Sequence, residues 1–396
     1  MRKKITDNIS WVGKIDWEIR TAHGKEYSTH KGTSYNAYLI EDEKTALIDT
    51  VWEPYADEFV TNLRREIDLE QIDYIICNHA EPDHSGALPA LMKYIPDTPI
   101  YCTKQATLSL SGHYHQDWDF RTVTSGDTLS LGENTLTFFP VPMVHWPDSM
   151  MTHLSGQNVL FSNDAFGQHY AHELLFNDLA DQCTLYEEAI KYYANILTPF
   201  SPVITNRIQE FLATDLPVNL IATSHGILWR DNPEQIIEQY LRWSDAYQED
   251  QITIIYDTMY NSTKVMAETI AAGILQHSPA THVKLFHAAK ADKNDIITEV
   301  FRSKAVLLGS PTFNKGPLAS LAAILEEFRG LKFTGKKASA FTSYGWSGEA
   351  AKLMLSELID AGFETVDEGF RINWRMNADQ RHDALQFGVE FASLVF

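Results

Sequence analysis

Cysteine is scarce in this chain of 396 residues: Cys77, Cys102 and Cys183 cannot build a disulfide framework, and no two are spaced as CxxC. A four-cysteine iron site or a zinc ribbon within these residues is therefore excluded. Long apolar runs are missing too. No stretch approaches the ~20 apolar residues of a membrane helix, and the opening MRKKITDNISWVG lacks the apolar core of a signal peptide. A cytoplasmic protein away from membranes is expected. Positive charge is also in short supply, with 32 Lys and Arg against 53 Asp and Glu and a formal net charge of -21. A phosphate backbone would be repelled, which argues against nucleic acid and leaves small molecules or proteins as partners. No internal repeat, low-complexity tract or long Gly/Ser linker interrupts the chain.

Its length fits two domains rather than one core. The first half opens with short strand-like runs such as Tyr38 to Glu41 and Thr45 to Ile48, and helical stretches are expected around 55 to 68 and 86 to 95. The segments YIICN, PIYC, FFPVP, NVLFSN and NLIATSH read as further strands, several ending in polar residues. From about residue 251 the pattern changes. ITIIY, KAVLLG and KASAFTS are compact apolar strands, each followed by a polar or glycine-containing loop and a helical stretch, the rhythm of a doubly wound parallel sheet. The expected domains are 1–250 and 251–396.

The segment HAEPDHSG crowds His79, Glu81, Asp83 and His84 into one turn after the strand YIIC. Alternate side chains at a strand end splay to one side, and the adjacent Asp83 and His84 reach a second position, so the spacing suits two metal ions. His145 in PMVHWPDSM, Asp164 in LFSNDAFG and His225 in ATSHG also follow strand-like runs and are the remaining candidate ligands. His113, His115, His153, His169 and His172 are read as surface or supporting residues.

Together these residues resemble the HxExDH, H, D, H pattern of the flavodiiron proteins, over essentially the whole chain. The resemblance implies an N-terminal metallo-β-lactamase-like αββα sandwich and a C-terminal flavodoxin-like sheet, an α/β protein throughout. It implies that His79, Glu81 and His145 hold one iron, that Asp83, His84 and His225 hold the other, and that Asp164 bridges them. Zinc hydrolases of the same fold carry histidine where this chain has Glu81, and a carboxylate suits harder, redox-active iron better. A zinc metallohydrolase is the remote alternative. His23 and Tyr192 resemble residues that line the substrate side of the diiron pocket.

In the second half, the loop after ITIIY, with Thr258, Asn261, Ser262 and Thr263 entering a helix, offers hydroxyl and amide donors to a phosphate without the lysine of a nucleotide-hydrolysing loop. It is similar to the flavodoxin phosphate loop, here including Met259 and Tyr260. Two further loops stand at the same strand-to-helix position: GSPTFNKG, with Ser310, Pro311, Thr312, Phe313 and Asn314, and SYGWSGEA, with Ser343, Tyr344, Gly345, Trp346, Ser347 and Gly348. The resemblance makes them the cradle of FMN, with Trp346 stacking on the ring.

Flavin with a diiron centre suits reductions of small diatomics by even numbers of electrons. The texture of PVPMVHWPDSMMTHLSG, LFSNDAFGQHYAHELLFND and IATSHGILWRDNP resembles the flavorubredoxin branch, associated with reduction of nitric oxide to nitrous oxide and water, here as a core without a rubredoxin domain. Four-electron reduction of O2 to water is the alternative. The implied electron donor is rubredoxin, reduced by an NAD(P)H-dependent rubredoxin reductase, and the implied assembly is a head-to-tail homodimer or a homotetramer. Arg329, Lys332, Lys336, Lys337, Arg371 and Arg375 are expected to supply a basic patch for the acidic donor.

Overall fold

A computed structural model describes residues 2–396. It divides into two compact units, one running to Tyr192 and resuming over Phe200–Ser244, the other made of Tyr193–Pro199 and Asp245–Phe396.

The first unit holds two large sheets and two two-stranded ones. In one large sheet, seven strands run in the order Lys3–Lys4, Ile9–Trp11, Tyr38–Ile40, Thr45–Ile48, Ile72–Ile76, Ile100–Cys102 and Phe120–Thr122. In the other, Thr128–Ser130, Thr135–Pro140, Met150–Leu154, Val159–Asn163 and Leu220–Thr223 follow each other in chain order. The first sheet is apolar on both faces, and the two-residue period of a strand sorts its side chains. Leu39, Leu47, Ile72 and Ile75 pack into a core with the helix Ala56–Glu66. Tyr38, Ile40, Ala46, Ile48 and Ile76 point the other way and meet Phe138, Met150, Phe161 and Leu220 of the second sheet. A helix layer on one sheet and a sheet-on-sheet interior follow from that alternation. The helix itself forms because Ala56, Phe59, Val60 and Leu63 recur at helical spacing and are all buried.

The helix expected around 86 to 95 is only the single turn Leu88–Leu91, preceded by the turn Pro82–Ser85. The local cause is Thr50, whose hydroxyl donates to the His84 carbonyl at 2.7 Å and accepts from the Ala87 amide at 3.3 Å, drawing the chain out of a continuous helix.

The second unit is a parallel sheet in the order His282–His287, Glu249–Tyr256, Ser303–Pro311, Lys337–Tyr344 and Glu364–Thr365, with Phe370–Asn373 also paired to Lys337–Tyr344. Numbered within the unit, that order is 2-1-3-4-5, the doubly wound topology whose ligands sit beyond the carboxyl ends of the strands. The helices Ser262–His277 and Ala378–Val395 approach closely through two glycines. A Cβ on Gly273 would stand 2.0 Å from the Leu385 carbonyl oxygen, and one on Gly388 would stand 2.2 Å from that of Ile270. Among the described residues, no helix is long and apolar enough to cross a membrane.

Candidate functional site

Four strand ends of the first unit deliver polar side chains to one place. The loop after Ile72–Ile76 carries His79, Glu81, Asp83 and His84; His145 follows Thr135–Pro140, Asp164 follows Val159–Asn163 directly, and His225 lies two residues beyond Leu220–Thr223. Donor atoms of His79, Glu81, His145 and Asp164 all lie within 4.8 Å of one another, as do those of Asp83, His84 and His225. Asp164 faces both groups. Its Oδ2 is 3.2 Å from His145 Nε2 and 3.6 Å from His79 Nε2, while its Oδ1 is 3.0 Å from His84 Nε2 and 3.6 Å from His225 Nε2. Glu81 Oε2 stands 3.3 Å from His79 Nε2, and Asp83 Oδ2 stands 3.2 Å from His225 Nε2.

These atoms crowd together without hydrogen-bonding. His79 Nε2, Glu81 Oε2, Asp83 Oδ1, His84 Nε2, His145 Nε2 and both Asp164 oxygens are buried with no hydrogen-bond partner among the described residues. A buried polar group left so costs free energy, and a convergent set of them is what metal ligation satisfies. Three carboxylates and four imidazoles in two groups joined by one carboxylate fit a pair of hard-to-borderline ions.

The electrostatics agree. Burial would raise Asp164, but the facing His84, His145 and His79 outweigh it and hold its carboxyl well below the usual range. Against the same penalty, His23 and His79 bring Glu81 down to about 2. In return, the site's carboxylates outweigh the burial of His84 and raise it to about 9. The carboxylates make the cluster a place that favours positive charge.

Supporting contacts fix the rings. The buried Asp148 accepts the Ala80 amide at 2.7 Å and lies 2.9 Å from His79 Nδ1, so His79 turns Nε2 to the site. His225 Nδ1 donates to the Ser34 carbonyl at 2.7 Å, and the Gly226 amide donates to Ser34 Oγ at 2.7 Å. Neither Asp148 nor Ser34 was singled out from the sequence, although a carboxylate three residues after His145 was a usable signal.

Of the two expected pocket residues, His23 places Nδ1 3.2 Å from Glu81 Oε1. Tyr192 is fully buried at the end of the helix Gln182–Tyr192, its ring centroid 5.4 Å from that of His169. His169, read as a surface or supporting residue, takes the supporting position. It is buried rather than superficial, 4.8 Å from the His225 ring, and burial followed by His225 and His23 pushes it well below the ordinary histidine range. His113 and His115 are exposed, while His153 is a strand residue bonded to the Pro217 carbonyl.

In the second unit the strand-end loops enclose a cavity of about 860 Å³. Of the residues named from the sequence, Thr258, Met259, Tyr260, Ser262, Thr263, Pro311, Thr312, Phe313, Asn314, Ser343, Tyr344, Gly345, Trp346 and Ser347 line it, joined by Lys315, Trp374 and Arg375. Three expected residues do not line it. Ser310 is turned inward, donating to the Pro311 carbonyl and accepting the Leu318 amide at 2.9 Å. Asn261, at φ 64°, opens instead on a neighbouring cavity with Arg375 and Arg381, and Gly348 packs under the Tyr344 ring. Trp374 escaped notice because its segment carries no strand-like apolar pattern; a Cβ on Gly345 would meet its ring at 2.7 Å. Trp346 and Trp374 are 90% and 66% exposed, a pair of open indoles beside the cavity that fits a flat aromatic guest.

The expected basic patch is only partly available. Lys336 is buried, donating to the carbonyls of Tyr247, Phe301 and Ser303. Arg329 is engaged by Glu326 and Glu357, and Lys337 by the Leu394 carbonyl.

Residues 33–226 match a family model described as ODP family beta lactamase, and residues 254–388 match one described as flavodoxin. The anaerobic nitric oxide reductase flavorubredoxin of Klebsiella pneumoniae is 55% identical over 98% of this chain and 81% of its own length; that of Vibrio vulnificus is 54% identical over 98% and 79%. Among solved structures, the rubredoxin oxygen:oxidoreductase of Desulfovibrio gigas matches with a TM-score of 0.96 and 34% identity, covering 100% of this chain and 98% of that one. The flavodiiron protein of Giardia intestinalis matches at 0.94 and 32%, covering 99% and 96%. With a β-lactamase-like sandwich, a flavodoxin-like sheet and relatives of this identity along nearly its whole length, the chain belongs to the flavodiiron protein family, alongside the flavorubredoxins.

Proposed function

We propose that the protein reduces nitric oxide to nitrous oxide and water, using FMN and two irons. The observation that carries this reading is the pair of buried ligand groups sharing Asp164, where the converging atoms of His79, Glu81, His84, His145 and Asp164 have no hydrogen-bond partner among the described residues. His79, Glu81 and His145 would hold one iron and Asp83, His84 and His225 the other, with Asp164 between them. When bound, the irons supply the two electrons that two NO molecules need, with two protons, to give N2O and water, and the flavin restores them. The chain's own residues bind, orient and hold charge. Asp148 and Ser34 set the ring orientations of His79 and His225, while Thr50 ties down the turn bearing His84. Tyr192 keeps its phenolic proton, since burial and then the nearby carboxylates push its pKa well above the ordinary value, so it remains a donor to a bound oxygen or nitrogen-oxide atom. Thr258, Ser262 and Thr263 would take the FMN phosphate, and Trp346 with Trp374 would flank the ring.

Reduction of O2 to water is the second reading, favoured by the likeness to an enzyme named for that activity. For either substrate, rubredoxin reduced by an NAD(P)H-dependent reductase is the proposed donor, and a head-to-tail homodimer or homotetramer in the cytoplasm the proposed state. Purified protein with iron near two per chain, a flavin spectrum and faster consumption of NO than of O2 under reduced rubredoxin is the expected result. Colourless protein holding zinc would sink the proposal, and O2 consumption alone would move it to the second reading.

A further inference from the structure

His169 occupies a place in the pocket wall that its sequence context does not explain. Its ring lies among those of Tyr27, Tyr192 and His225, with centroids at 4.9, 5.4 and 4.8 Å. One ring nitrogen is accounted for: Nδ1 lies 2.7 Å from Thr33 Oγ1. The other, Nε2, is buried and has no hydrogen-bond partner among the described residues. An imidazole nitrogen in that condition sacrifices hydration for nothing unless a ligand supplies the missing contact.

Which kind of contact is missing follows from the hydroxyl. Thr33 Oγ1 is 3.4 Å from the Ser34 carbonyl, the same carbonyl that receives Nδ1–H of His225 at 2.7 Å. A carbonyl only accepts, so a Thr33 hydroxyl that donates there receives the Nδ1–H of His169. The far nitrogen then carries a lone pair and no hydrogen.

We propose that His169 is a further positioning residue of the active-site pocket, whose Nε2 accepts a hydrogen bond from a small protic guest, a water molecule in the first instance, beside Tyr192 and His225. Thr33 and Ser34, on the strand Thr33–Tyr35, set the orientation of His169 and His225 from one support, so the guest is held in register with a proposed metal ligand. Tyr192 donates and His169 accepts. The pocket wall thus offers one group of each sense to a molecule that carries both lone pairs and protons, as water does and dry NO or O2 does not. The inference rests on the proposed diiron reading for its function and on protein geometry alone for its hydrogen-bond sense.

The two parts are tested separately. Nitrogen-15 NMR of histidine-labelled, metal-free protein should show His169 with hydrogen on Nδ1 and none on Nε2, and Thr33→Val should change that pattern. Hydrogen on Nε2 in the wild-type chain overturns the proposal whatever the enzyme does. In iron-loaded protein, His169→Phe keeps an aromatic ring of similar size and removes both nitrogens, whereas His169→Gln can place an amide oxygen near the Nε2 position. At equal iron content, the Phe variant should lose about 10- to 100-fold in turnover, the range expected when a buried partner is left unsatisfied, and the Gln variant several-fold less. Equal losses in both variants would show that only packing is at stake and overturn the proposal, as would full activity in the Phe variant. Absence of any NO or O2 turnover in the wild-type protein would instead count against the diiron reading and leave the NMR result to stand alone.

Discussion

At the scale of single residues, the metal cluster is defined as much by what holds the ligands as by the ligands. Asp148 is buried, accepts the Ala80 amide and faces His79 Nδ1 at 2.9 Å; burial alone would raise its carboxyl, but His79 and the Ala80 amide outweigh that and hold it below its ordinary range. Asp148→Asn keeps the shape and removes the charge. Iron affinity should fall about 10- to 100-fold, the usual cost of losing such a support, read by chelator competition while the chain stays folded. Glu81 decides a different matter. Replacing it by histidine restores the nitrogen-rich set typical of zinc hydrolases, so the Glu81→His protein, grown with both metals, should carry a higher zinc-to-iron ratio by elemental analysis than the parent. An unchanged ratio would mean that the carboxylate does not choose the metal.

At the scale of elements, the strand ends were legible and the loops between them only in part. HAEPDHSG, FSNDAFG and ATSHG each announce a ligand by placing it after an apolar run, because a strand that ends at a sheet edge must turn its polar residues somewhere. What the sequence could not display is tertiary pairing. Thr50 breaks the expected helix around 86 to 95 from thirty-odd positions upstream, and Ser34 supports His225 across 191 residues. Ser310 looked like a flavin contact because its loop was right, yet its hydroxyl serves the backbone of that loop. Gly226 shows how tight such an element is. It has φ 71°, and a Cβ there would stand 1.6 Å from Gln168 Oε1, which already accepts the Ile227 amide. Gly226→Ala should therefore displace His225 and lower iron content by more than it lowers flavin content, a difference measurable on one purified sample.

Lys336 belongs to the same scale. Its three carbonyl acceptors at 2.7 to 2.9 Å tie the strand Lys337–Tyr344 to the end of the helix Lys293–Arg302. Burial pushes its ammonium down to about 7 from an ordinary 10.5, opposed by Glu249. Between those values the unfolded chain holds a proton that the folded chain does not, so stability should rise with pH across the window and be flat below it. Raising the pH from 7 to 9 should stabilise the flavodoxin half by up to about 2 kcal/mol, followed by release of flavin fluorescence on heating, and Lys336→Met should abolish the rise.

On the scale of the whole molecule, the two candidate sites belong to different compact units: the ligand groups to the first and the flavin-sized cavity to the second. Electron transfer between them is required by the proposed reaction, and a head-to-tail assembly would satisfy it between chains. That proposal makes a sharp demand. Pairing His79→Ala/Asp164→Ala chains, which should lose iron and keep flavin, with Trp346→Ala/Thr263→Ala chains, which should lose flavin and keep iron, yields mixed dimers with one intact route from flavin to metal. Each variant alone should be inactive with reduced rubredoxin, and co-purified mixed dimers should recover a substantial part of the parental rate, because each site is complete on one of the two chains. If electrons instead pass within a chain, no chain in the mixture carries both sites, and the rate stays at the level of the separate variants. The comparison needs equal metal and flavin loading per intact site, which elemental analysis and the flavin spectrum supply, so a silent mixture with both sites filled would exclude transfer between chains.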